Sequence, residues 1–120
     1  MTKTRILANV RRYGMWCTTA SLLSLVVMFP VQASTPTWTV DITKMAFSPA
    51  DMTVTPGTKV IWTNRDQIPH TVTSKDKGGV LSSKGLDTGD SYSYTFTHPG
   101  DYAYFCTVHP FMMGVVHVRK

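Results

Sequence analysis

The sequence predicts an all-β domain, a sandwich or a barrel. Three observations carry this. Several segments alternate apolar and polar side chains with period two, as half-buried strands do. Pro and Gly recur at intervals suited to the turns of such folds. Past residue 33, no segment reads as a long helix.

Taken in order, residues 38–43 alternate strictly from Trp38 through Val40 and Ile42, which predicts a first strand. Residues 47–51, with Pro49 at the centre, read as a turn. Residues 52–55 form a short strand ended by Pro56-Gly57. Residues 58–64 are rich in β-branched and aromatic side chains and make the strongest strand of the first half. Asn64, Arg65, Asp66 and Gln67 then open a loop toward Pro69-His70, and residues 71–73 resume as a strand. Residues 74–90 carry loop chemistry around a small apolar island of Val80, Leu81 and Leu86. Residues 91–97 alternate with Tyr92, Tyr94 and Phe96 on one face. After the turn at residues 98–101, residues 102–106 and 115–118 supply the closing strands. Parity puts Tyr102, Tyr104 and Cys106 on one face. With those tyrosines in the core, the thiol also points inward and Phe105 outward.

Residues 1–33 have the layout of a secretory signal peptide. Lys3, Arg5, Arg11 and Arg12 form a basic head, an apolar run follows to Phe29, and small residues precede a cut placed after Ala33. The run is short and broken by Thr and Ser, which disfavours a retained membrane anchor. Arg11-Arg12 raises the twin-arginine route, but its flanks match that signal poorly, so the general route is expected. Bulky Trp16 before Cys17 argues against a lipoprotein. The expected organisation is a leader at 1–33 and one domain at 34–120. The chain carries +5 overall, but that domain holds eight cations against seven aspartates, which leaves +1. With no Lys/Arg stripe, nucleic-acid binding is excluded. A domain of roughly 87 residues buries about 60–65% of its unfolded surface, so it can fold alone and gains from a metal. We expect a monomer without stable membrane insertion once the leader is gone.

The chemistry concentrates near the end, in Cys106-Thr107-Val108-His109-Pro110-Phe111-Met112. This is Cys-x2-His-x2-Met, and His70 supplies a second imidazole from far upstream. One thiolate, two imidazoles and a weak thioether form the set that suits copper cycling between Cu(I) and Cu(II). Zinc sites need no thioether, and calcium or magnesium would need oxygen donors that do not converge here. Pro110 stiffens the loop that turns three donors to one point. Met113 is the rival axial donor. Each residue also has a plain structural reading: a small core cysteine, a surface histidine, a gap-filling methionine. Their joint spacing favours the metal. His98 in its Pro-Gly turn reads as exposed and His117 as structural.

Residues 64–70 and 102–112 resemble the two copper-binding stretches of cupredoxins of the plastocyanin/azurin group, and of amicyanins in particular. The short Cys-x2-His-x2-Met loop and residues 40–45 carry the likeness, which covers nearly all of 34–120. The resemblance implies a cupredoxin-like Greek-key β-sandwich of about seven to eight strands. It implies one type 1 copper ion on His70, Cys106, His109 and Met112, and one-electron transfer in the periplasm. It implies an amine dehydrogenase as donor and a c-type cytochrome as acceptor. It also implies that Asn64 bonds across to the loop near Thr107. Val108 stands where amicyanins are expected to carry Pro, and its N–H is expected to donate to the Cys106 sulfur. Two other functions remain open. A periplasmic copper carrier or resistance protein would bind the ion without redox cycling. A Cys106/His109 nucleophile pair would make an enzyme, but no orienting group or substrate cleft accompanies it, so the expected answer is a non-enzyme.

Overall fold

The computed structural model describes residues 26–120. Most of the predicted leader lies outside the described residues. Among those described, no helix is long and apolar enough to cross a membrane. Eight strands make up the domain: β1 (Thr37–Thr43), β2 (Ala46–Ser48), β3 (Asp51–Val54), β4 (Thr58–Asn64), β5 (Thr73–Ser74), β6 (Ser91–Phe96), β7 (Gly100–Phe105) and β8 (Met113–Val118). They form two four-stranded sheets, ordered β2-β1-β4-β6 and β3-β8-β7-β5. The chain crosses repeatedly between the sheets, and β1–β4 and β3–β8 pair in parallel. The architecture is the expected β-sandwich.

The alternation seen in the sequence becomes the inner faces. Val40, Ile42, Val60, Trp62 and Phe96 are buried from one sheet, and Met52, Val54, Tyr104, Val116 and Val118 from the other. Each such side chain contributes about 1.5–3 kcal/mol on leaving water. Trp62 and Tyr104 meet edge-on across the sheets, ring centroids 5.4 Å apart. Trp38 keeps the parity of β1 but is exposed at the start of the strand.

Two elements differ from expectation. The predicted turn at 47–51 contains β2, a three-residue strand that pairs Phe47 with Ile42 before a cis Ser48–Pro49 bond. Pro49 marks the bend and conceals so short a strand in front of it. Of the predicted strand at 71–73 only Thr73 pairs in the sheet, in the two-residue β5, while His70 and Val72 bond to the 81–86 connection. In that connection Leu81 and Leu86 are buried as expected, whereas Val80 is exposed. The β1–β2 hairpin turns through Lys44 and Met45, both left-handed at φ 52° and 59°. Non-glycine residues rarely adopt that conformation, so the surroundings must hold it.

Candidate metal centre

The loop from β7 to β8 is tied by its own backbone. His109 N–H donates to Cys106 O at 3.3 Å and Met112 N–H to His109 O at 2.9 Å. Cys106 N–H reaches across to Met112 O at 3.1 Å. Two successive turns thus fold Cys-x2-His-x2-Met into a compact knot at the end of β7. Cys106 points inward beside Tyr104, as strand parity predicts, and Phe105 faces out.

His70 arrives from the other side and is fully buried. Its N–H and C=O pair with Leu86 at 3.1 and 2.8 Å, a two-bond clamp on the long connection. Asn64, also fully buried, shapes the approach. Its Nδ2 donates to the carbonyls of Ile68 and Leu86, both at 2.8 Å, and its Oδ1 accepts the Asp66 N–H at 2.9 Å. Asn64 therefore does not reach the Thr107 loop, and the expectation is corrected. Thr71 makes that link: its hydroxyl accepts the Thr107 N–H at 2.8 Å and bonds the Thr107 hydroxyl at 2.9 Å.

Three donor atoms converge. Cys106 Sγ lies 3.8 Å from His70 Nδ1 and 3.7 Å from His109 Nδ1, and the two nitrogens are 3.2 Å apart. An ion bound in a trigonal plane, with metal–nitrogen and metal–sulfur bonds near 2.0 and 2.3 Å, spaces its donors by roughly 3.5–3.7 Å. The triangle matches that size, and a soft thiolate beside two imidazoles suits copper. The His70–Cys106–His109 group fits a single type 1 copper site.

The sequence model described as copper binding proteins, plastocyanin/azurin family, matches residues 35–119. The chain belongs to this family. It is 34% identical over 118 residues to amicyanin-alpha of Methylorubrum extorquens, covering 96% of this chain and 99% of that one. It is 42% identical over 85 residues to amicyanin of Paracoccus denitrificans, covering 67% and 63%. Among solved structures, amicyanin from Paracoccus versutus superposes with a TM-score of 0.64 at 32% identity, covering 73% of this chain and 86% of that chain. A purple cupredoxin from Nitrosopumilus maritimus gives 0.62 at 32%, covering 68% and 98%. The likeness to amicyanins read from the two ligand-bearing stretches is borne out.

In this cupredoxin, Thr71 N–H donates to the Cys106 sulfur at 3.3 Å. The described hydrogen bonds include none from Val108 N–H to that sulfur, so the expected donor is corrected. Val108 lies on the exposed rim of the loop, while Thr71 approaches the thiol from the neighbouring segment. Met112 is buried within the core cluster, and Met113 is half exposed with its sulfur accepting from Lys75 Nζ at 3.6 Å. Half-buried His109 follows exposed Val108 in the chain and has exposed Phe111 beside it, ring centroids 6.2 Å apart; Ile68 and Met113 are exposed as well. His98 is exposed, and His117 pairs with Asp101 on the outer face of β8. That aspartate is held below the usual carboxylate range, first by His117 and then by Arg119.

Besides Thr71, a second residue beside the site escaped the sequence reading. Asp66 Oδ2 lies 3.0 Å from His70 Nε2. The same carboxylate accepts the backbone N–H groups of Lys44 and Met45. The Met45 N–H above all, with those of Lys44 and His70, lowers its pKa, and partial burial opposes them. The only sequence trace is an acid four positions before the histidine, which is uninformative in a loop.

Proposed function

We propose that the protein carries single electrons between redox partners in the periplasm, with one copper ion held by His70, Cys106, His109 and Met112. The closed donor triangle carries this reading. It rests on three backbones fixed by hydrogen bonds from two separate segments. A site held this firmly favours a reversible change of oxidation state over hand-over of the ion, because little must rearrange. Burial favours Met112 over Met113 as the fourth donor. Residues 1–33 act as the export leader, and an oxidising compartment suits a lone thiol that is bound to metal.

When bound, copper supplies the one-electron couple. The protein's part is to hold the donors and to expose an exit. His109 is half-buried beside exposed Val108 and Phe111, apolar side chains that suit brief docking. By resemblance, the donor is an amine dehydrogenase and the acceptor a c-type cytochrome. Adding Cu(II) to the metal-free protein should give an intense blue form with reversible voltammetry, and Cys106→Ser should abolish the colour. A colourless protein that binds only Cu(I) and yields it readily to a chelator would overturn electron transfer in favour of copper carriage.

A further inference from the structure

The buried imidazole of His70 has its far nitrogen facing a carboxylate that is itself held by two backbone N–H groups. Asp66 Oδ1 accepts the Lys44 N–H at 2.7 Å, and Oδ2 accepts the Met45 N–H at 2.9 Å. These N–H groups come from consecutive left-handed residues of the β1–β2 turn, a conformation that aims neighbouring amides at one anion. The backbone of Asp66 is fixed too, its N–H on Asn64 Oδ1 and its C=O accepting the Thr88 hydroxyl at 2.6 Å. Its side chain is 15% exposed and that of His70 is fully buried, so water competes little for the bond between them.

We propose that Asp66 is a positioning residue for the metal centre. It holds the His70 proton on Nε2, presents Nδ1 as a lone pair to the ion, and lowers the reduction potential. This rests on the copper reading above. The chemistry follows from donor inventory. A carboxylate accepts hydrogen bonds and donates none, so Nε2 must be the donor across the 3.0 Å contact. In a neutral ring Nδ1 is then unprotonated, and it is Nδ1 that faces Cys106 Sγ and His109 Nδ1. A negative partner on the far nitrogen makes the imidazole a stronger donor and favours the more highly charged ion. The β1–β2 turn, remote in sequence from every ligand, thereby becomes part of the site. Its left-handed backbone holds the carboxylate, and the carboxylate holds the ring.

The test has two parts. In metal-free wild-type protein, nitrogen NMR of His70 should show the Nε2–H form with a slowly exchanging proton; a proton resident on Nδ1 would overturn the proposal. This part needs no metal and no variant, so it stands apart from any failure of the copper reading. In copper-loaded Asp66→Asn, Cu(II) affinity should fall about tenfold more than Cu(I) affinity, an upward potential shift of ~59 mV. An unchanged or lowered potential, with only the melting temperature reduced, would make Asp66 merely structural and also overturn it.

Discussion

Met112 and Met113 are adjacent, yet only Met112 is buried: their exposures are 2% and 51%. Parity alone makes one of two neighbours in an extended segment face inward, and the turn closed by Met112 N–H selects the first. Met112→Ala should therefore change the potential and the spectrum while copper stays bound, and it should cost about 2–5 kcal/mol of stability as a core truncation. Met113→Ala should leave the spectrum as it was. A spectrum that responds to Met113 instead would reverse the axial assignment. The thiol was legible from spacing, whereas its hydrogen-bond donor was not. Thr71 and Cys106 are 35 positions apart, and nothing local in either segment reveals their contact.

Among the elements, β7 and β8 place the site most directly, since their last pair, Phe105 with Met113, opens the ligand loop. The next pair along is Tyr104 with Gly114. The Tyr104 ring lies over Gly114, and a Cβ there would collide with that ring and stand 2.7 Å from Ala50 O. That carbonyl is anchored by the Val115 N–H at 2.8 Å and cannot retreat cheaply. Gly114→Ala should destabilise the domain by at least about 1–3 kcal/mol, read from urea unfolding, and should loosen the ligand loop beside it. Wild-type stability in the variant would refute the close packing of β8 on Tyr104. Both strands were readable from their alternation. The requirement for glycine was not, because it is imposed by a neighbouring strand.

For the whole molecule, the contact between sheets sets the response to alkali. Tyr104 is fully buried at that contact, and its hydroxyl has no hydrogen-bond partner among the described residues. Burial pushes its pKa up to about 12, with nearby Trp62 opposing. The unfolded chain ionises near the ordinary value of 10, so the folded state holds this proton more tightly. The resulting stability is complete below pH 10 and is lost as pH rises toward 12. A two-unit shift corresponds to roughly 3 kcal/mol. Melting temperature should fall steeply across that window, and Tyr104→Phe should flatten the fall with little cost at neutral pH, since it deletes an unsatisfied hydroxyl. An equally steep alkaline limb in the variant would refute this.

The sequence by itself determined the class of fold, through period-two burial, and singled out His70, Cys106 and His109, which the fold brings together, through Cys-x2-His and Pro69-His70. Both are local patterns, and local patterns survive in one dimension. Only the tertiary structure decided how the donors are held. Thr71 rather than Val108 reaches the sulfur, Thr71 rather than Asn64 ties the two ligand segments, and Asp66 joins His70 to the β1–β2 turn. Each is a hydrogen bond between side chain or backbone groups that the crossings between sheets bring together, and partners of that kind leave no periodic trace in the chain.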